Sequence, residues 1–180
     1  NAANRARTRV QFGQWAMAVE AFRQEYGCYP EFDGTGKVNG GADASESEVH
    51  PFHDLLSGRR RDGSALPASG SASSSPEAQN FRRIPFLAFT EDDLFPGAYD
   101  DASHRGLTHD AFENTDIAVL VDRNMDGVIN EVDYPVLPRV SPPGNSGLQL
   151  SPAGQDFSGG PGGGVRAGVL FYCAPPQAAD

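Results

Sequence analysis

Lysine occurs once in these 180 residues, at Lys37, so nearly all positive charge is arginine. Lys and Arg together number 14 against 24 Asp and Glu, a net charge of -10. That balance argues against a nucleic-acid partner, because a phosphate-binding surface needs clustered Lys and Arg. It disfavours anionic lipid headgroups for the same reason. Long apolar runs are also missing. Without about 18 consecutive apolar residues, no stretch of this sequence is suited to span a membrane. The opening residues show no signal-peptide pattern. A helical pattern starts almost at once after Asn1, which leads us to expect further residues upstream. Cysteine is scarce. Cys28 and Cys173 allow one internal pairing, and two cysteines alone do not decide the compartment.

What the chain does have is Gly (21) and Pro (14), with hydrophobic residues at 38%. This is below the usual apolar share and implies a modest core carrying long irregular loops. The length suits one domain, 1–180.

Residues 4–26 read as an amphipathic helix. Phe12, Trp15, Val19, Phe22 and Tyr26 recur at alternating steps of three and four residues, one face of a 3.6-residue period. Ala16 and Ala18 keep helix propensity high, Gly27 is a natural cap, and Pro30 forbids continuation. We take 1–27 as the helical part and 28–180 as loops and sheet. Glycines 34, 36, 40 and 41 mark turns, a short helix or turn is expected at 49–56, and 57–80 is low-complexity Ser/Gly/Ala/Pro. The run 84–89 (IPFLAF) is a strand or a buried extended segment, and Pro85 keeps it from the centre of a sheet. Residues 90–114 read as an acidic loop and 141–164 as a second Gly/Pro/Ser loop. Strands are predicted at 117–121 (IAVLV) and 165–172 (VRAGVLFY), the latter paired with a preceding strand.

One motif carries chemistry. Residues 122–133 read DRNMDGVINEVD. With Asp122 as position 1, oxygen side chains fall at 1, 3, 5, 9 and 12: Asp122, Asn124, Asp126, Asn130 and Asp133. Gly127 holds position 6, where a calcium loop turns sharply, and Val128 at position 7 offers its backbone carbonyl. Ca2+ wants six to eight oxygens, and this spacing wraps them round one point. Ile129 would anchor the loop to the core. A polar Asx-rich turn between strands is the bland alternative. Asp133 stands where an EF-hand has Glu, and Pro135 hinders an exit helix, so the loop is expected between strands, with a structural role.

The remaining candidates are weaker. His50, His53, His104 and His109 lack the helical spacing of a zinc site and read as surface histidines. Glu91, Asp92, Asp93, Asp100 and Asp101 read as a solvated acidic loop that could lend one more calcium oxygen. Arg59, Arg60 and Arg61 sit in a Ser/Gly-rich stretch and read as a solvated loop rather than a binding patch. The glycine cluster at 159–164 is followed by Val-Arg and is loop. No G-x-S-x-G and no phosphate-binding glycine loop is present, so an enzyme is not indicated.

At its helix end the chain resembles the type IV pilin and pseudopilin superfamily. The stretch from Ala6-Arg7 to Glu25-Tyr26-Gly27-Cys28-Tyr29-Pro30 is similar to the C-terminal half of the long pilin helix and the Tyr/Gly/Tyr-Pro phrase that ends it. Residues 165–172 resemble the closing strand, here followed by Cys173-Ala174-Pro175-Pro176. Major pseudopilins of type II secretion also bind calcium in the loops of a small sheet, which 122–133 matches in kind. The family's Asp-Pro-Trp-Gly phrase is missing, as is the apolar first half of the helix. The loop also resembles half of a dockerin, but the second repeat is lacking.

The expectation is an α+β fold, a long N-terminal helix on a small antiparallel sheet, with Gly/Pro-rich loops and one calcium loop. The resemblance implies a structural filament subunit on the periplasmic or extracellular side of a bacterial envelope, membrane-anchored before assembly. Its partners would be other pilin or pseudopilin subunits, and the inner-membrane assembly machinery through the upstream segment. The alternative is a secreted calcium-dependent adhesion or partner-binding module. The helix face carrying Arg5, Arg9, Glu20 and Arg23 is expected to meet neighbours. Cys28 follows the helix and Cys173 follows the last strand, so a helix-on-sheet fold could pair them across a loop of about 145 residues; two free thiols are the other outcome.

Overall fold

The computed structural model describes residues 2–32, 34–40, 49–68, 72–95, 106–152 and 163–176. His104, Asp100, Asp101, Gly41 and most of the glycine cluster at 159–164 lie outside the described residues.

Helix α1, Ala2–Tyr26, buries Thr8, Trp15, Ala18, Val19 and Phe22. The predicted stripe is thus the face turned inward, with Phe12 and Tyr26 half-covered at its ends. Burying side chains such as Trp15, Val19 and Phe22 stabilises by about 1.5–3 kcal/mol each. Arg23 in the last turn complements the negative end of the helix dipole. Gly27 stops the helix at φ 79° and donates its N–H to the Arg23 carbonyl at 2.8 Å.

Strands β1, Ile117–Val121, and β2, Val169–Cys173, pair antiparallel from Ile117 opposite Cys173 to Val121 opposite Val169. β1 also takes a short pairing on its other edge. Val38 N–H donates to the Ile117 carbonyl at 2.9 Å, and Val119 N–H donates to the Gly36 carbonyl at 2.8 Å. With a neighbour on each side, β1 is buried throughout. The pleat sorts its side chains by face. Ile117, Val119 and Val121, with Val169 and Phe171, join the core under α1. Leu120 and Leu170 pack on Ile129 and Tyr134 behind the sheet, and Ala118 packs on Val140 and Ala174. Layers therefore run helix, sheet, and a backing of loops. Aromatic edges bind the first two: Trp15 meets Phe171 of β2 at 5.6 Å between ring centroids.

Helix α2, Pro51–Ser57, stands where a short helix or turn was expected. Its apolar residues Phe52, Leu55 and Leu56 complete the main core. The Leu56 carbonyl accepts from Phe86 at 2.8 Å and Leu87 at 3.0 Å, so 84–89 is extended and half-buried but not a strand. A four-residue helix α3, Pro76–Gln79, and a 3-10 turn, Glu91–Asp93, arise inside segments read as loop.

Asn80 explains how the glycine-poor end of that segment is held. It is fully buried, and its amide is saturated: it donates to the carbonyls of Leu55 and Ile84 and accepts from Tyr26 Oη and Ile84 N–H, all at 2.8–2.9 Å. The closing strand is shorter than predicted. Val165 makes only an isolated bridge to Ile129, and pairing starts at Val169. Gly168 lies between the two, where a Cβ would run into Tyr29 Oη and Glu20. No described helix is long and apolar enough to cross a membrane.

Candidate metal centre

β1 delivers the chain to the loop 122–133, and Asp122 N–H adds one rung by donating to the Gly168 carbonyl at 2.9 Å. From there each oxygen side chain bends back on a nearby backbone amide, the local habit of Asp and Asn. Asp122 accepts from Gly127 at 2.7 Å and Asp126 at 3.2 Å. Asn124 accepts from Asp126 at 3.0 Å, Asp126 from Val128 at 2.9 Å, and Asn130 from Val132 at 2.7 Å. Asp133 closes the loop, accepting from Arg123 at 2.9 Å and from Asn124 and Asn130 at 3.2 Å. Gly127 sits at φ 89° with nothing near its missing Cβ, so its place is set by the turn and not by crowding.

The loop is fastened at both ends. Ile129 is fully buried and exchanges two 2.9 Å backbone bonds with Val165. Tyr134 Oη accepts the Val121 amide at 2.9 Å. Burial is the main reason that phenol's pKa is raised. Arg123 lies 4.3 Å over the Tyr134 ring and donates to the Asp133 carbonyl at 3.1 Å.

All six sequence-predicted residues, Asp122, Asn124, Asp126, Val128, Asn130 and Asp133, fall within this one ordered loop. Asp122 and Asp133 are each only 3% exposed, and the partners of their carboxylates are backbone amides. Two carboxylates taken out of water and a third, Asp126, in the same loop form a donor set that a cation would relieve. Its oxygens are hard ligands, suited to calcium and unsuited to zinc or copper. Among the described residues no three His, Cys, Asp or Glu side chains converge into a metal cluster of their own. The set expected from the sequence is mixed, three carboxylates with two amides and the Val128 carbonyl, and here its side-chain oxygens accept from backbone amides. β1 precedes it and turns follow it, so the two helices of an EF-hand are absent from its flanks.

Other candidates lie elsewhere. His50, His53 and His109 are not surface residues as expected but are 4%, 7% and 9% exposed. The rings of two have polar partners inside the fold, His53 Nδ1 3.0 Å from Asp54 Oδ1 and His109 Nδ1 2.6 Å from the Asp110 carbonyl, while the backbone N–H of His50 donates to Asp54 at 3.1 Å. Asp93 is committed to the helix, accepting from Gln11 at 2.9 Å.

The cysteines do not pair. Cys28 is an exposed free thiol, and half-buried Cys173 donates to Asp110 at 3.3 Å. The reason is geometric. Ala111, next to Asp110, donates to Thr8 near the start of α1, whereas Cys28 follows the other end of that helix. Thr8 and Tyr26 are about 27 Å apart along the helix at 1.5 Å per residue, and a disulfide needs Cα atoms within about 7 Å. Burial, with Asp110 beside it, drives the Cys173 thiol's pKa far upward.

Sequence reading missed Tyr134 and Arg123 as clamps of the loop, although both adjoin the motif. It also missed the buried Asp54, for which no local pattern gives a signal. No protein-family model, curated protein or solved structure matches the chain.

Proposed function

We propose that this chain is a calcium-stabilised structural subunit of a type IV pilus-like or type II secretion pseudopilus filament, working on the periplasmic or extracellular side of a bacterial envelope. One observation carries the reading: a 25-residue helix lies along a small antiparallel sheet whose central strand runs straight into a loop with calcium spacing. Asp122, Asn124, Asp126, Asn130, Asp133 and the Val128 carbonyl would hold the ion, whose charge offsets the three carboxylates. The role is structural rather than enzymatic. The sheet covers one face of α1 and leaves Arg5 and Arg9 exposed for neighbouring subunits. Assembly machinery would engage a segment upstream of Asn1, expected to hold about 20 apolar residues.

Filament formation by the full-length protein tests this. Arg9→Glu should abolish assembly while the folded chain persists, because opposite charges set register between subunits. Normal filaments from that variant, or an upstream segment without an apolar stretch, would sink the proposal.

The second reading, a secreted calcium-dependent partner-binding module, draws on Met125, Val132 and Val136, exposed by 53%, 71% and 81% in and beside the loop. Calcium-dependent binding of a foreign partner, lost on Val132→Asp but not on Arg9→Glu, would favour it.

A further inference from the structure

Helix α1 turns one face to the sheet, and its opposite face carries residues that the fold itself does not call for. Val10 and Met17 point outward there, 62% and 74% exposed. Gly13, midway along the helix, is a poor helix former beside alanine. Nothing outside its own turns comes within 4 Å of where its Cβ would stand, so no packing within the chain requires glycine. Val10, Gly13, Gln14 and Met17 are all exposed and fall at i, i+3, i+4 and i+7. Four residues so spaced frame the hole that receives a knob in helix packing. Glycine at one corner deepens it.

Charge on this face is one-sided. The first 19 residues hold three of the 14 basic residues and none of the 24 acids. Arg5, Arg7 and Arg9 crowd the positive end of the helix dipole, where cations are disfavoured. Arg9 lies one turn before Gly13 and Arg7 one turn before Val10, so both rim the hole. Asp92 and Asp93 bound the groove beside Val10 on its loop side, which leaves the positive rim toward the start of the helix.

Across the molecule, behind the sheet, Val132 and Val136 are exposed on either side of Tyr134. Glu131, next to Val132, is exposed and holds position 10 of the motif, which is not a ligand position, so it stays negative with calcium bound. Arg123, the one cation of the loop, is turned onto the Tyr134 ring and the Asp133 carbonyl. The ion pairs among the described residues involve none of Arg5, Arg7, Arg9 and Glu131.

We infer that a second copy of this chain covers the outer face of α1, seating its Val132 in the hole between Val10 and Met17 with its Glu131 against Arg9. The two patches are complementary in shape and charge, and they lie on opposite sides of one chain. Their contact is therefore heterologous, and it leaves a free hole at one end and a free knob at the other, so copies add head to tail into an open chain. The inference deepens the filament reading and rests on it for its setting.

Sedimentation of the 180-residue chain over a range of concentrations tests the contact. The mean mass of the wild type should rise with concentration without a plateau at the dimer. Val10→Asp spoils the hole and Val132→Asp the knob. Each should raise the concentration needed for association about tenfold or more, the loss expected when a buried valine leaves an interface. Mixed in equal amounts, the two variants should form a dimer and stop there, since together they retain one hole and one knob that fit. Arg9→Glu should weaken association and Glu131→Arg in the same chain should restore it, an arm that touches neither valine. A monomeric wild type, a mixture that stays monomeric, or association untouched by Val132→Asp would overturn the contact. Normal filaments from full-length Val132→Asp would also overturn it and leave the filament reading standing. Head-to-tail association of this chain without filaments from the full-length protein would do the opposite.

Discussion

Arg123 and Asp133, ten residues apart, close the loop on each other twice. The Asp133 carboxylate accepts the Arg123 amide at 2.9 Å, and the Arg123 guanidinium donates to the Asp133 carbonyl at 3.1 Å. The last position of the twelve-residue motif is therefore a structural clamp as well as a candidate ligand. Three backbone amides depend on its carboxylate. Asp133→Ala should destabilise by about 3 kcal/mol or more, since hydrogen bonds to charged groups contribute about 1.5–3 kcal/mol each. The loss should appear in urea unfolding even with chelator present. Full stability of the chelated variant would show that the clamp contributes nothing without metal.

Calcium should add to this. If the ion binds only the native state, a hundredfold excess over its dissociation constant stabilises by about 2.7 kcal/mol. Chelator should lower the melting temperature, and Asp122→Ala with Asp126→Ala should remove the response. Magnesium should substitute poorly, because it demands a regular octahedral shell. Identical melting curves with and without calcium would remove the metal from the argument.

How much of this was legible beforehand follows physical locality. Trp15, Val19 and Phe22 announce their helix because a 3.6-residue period is a property of adjacent turns. Asp122 to Asp133 announce a loop because their oxygens satisfy amides two to ten residues away. The hairpin of Arg59 and the burial of His53 were invisible, since both depend on Asp54 and on the extended segment that crosses α2 through Leu56. A Ser/Gly-rich composition read as loop says nothing of Asn80, whose four bonds tie that region to Tyr26 and Leu55. The late start of the final strand lies at Gly168, where the close approach of Tyr29, far off in sequence, leaves no room for a side chain. The calcium motif was readable as spacing; what clamps it, Tyr134 under Arg123, was not.

Alkali should loosen the fold. Burial is the main cause lifting both the Cys173 thiol and the Tyr29 phenol, the latter to about 12. Each then holds its proton in the folded chain at pH values where the unfolded chain has released it. Stability is complete below the unfolded values, about 8.5 for a thiol and 10 for a phenol, and falls as pH rises through the folded ones. The melting temperature should therefore decline from about pH 8.5 upward. Cys173→Ser, which keeps a donor for Asp110, should delay the decline toward the tyrosine range. An unaltered pH profile in that variant would contradict the role of the thiol.

Two glycines with left-handed backbones should respond differently to alanine. Gly127, at φ 89°, has open space around its missing Cβ, so Gly127→Ala carries only conformational strain of about 1–2 kcal/mol. Gly58, at φ 70°, faces the Arg83 carbonyl carbon at 2.8 Å and its oxygen at 2.6 Å. Backbone cannot swing aside as a side chain can. Gly58→Ala should cost clearly more than Gly127→Ala in denaturant titrations of the two variants. Equal costs would mean that the α2 cap yields more easily than its contacts imply.

The polar face of α1 is not uniform, and charge reversal should expose the difference. Arg9 is exposed and stands clear of the sheet side of the helix. Arg23 belongs to a local network: it bonds Glu20 at 2.9 Å and lies 5.4 Å over the Tyr29 ring, while Tyr29 Oη donates to Glu20 at 2.7 Å. That network seats the helix end over Gly168, where the sheet begins. Arg23→Glu would set two carboxylates one turn apart and strip the cation from the tyrosine ring. It should lower the melting temperature of the chain, and Glu20→Gln should recover part of the loss by removing the repulsion. Arg9→Glu should leave the melting temperature unchanged. Charge reversal is therefore expected to spare the fold at Arg9 but not at Arg23. Only Arg9 is a clean probe of contacts between subunits. If Arg23→Glu melts with the wild type, the Glu20 and Tyr29 contacts do not secure the helix. Arg9 and Arg23 could then both serve as assembly probes.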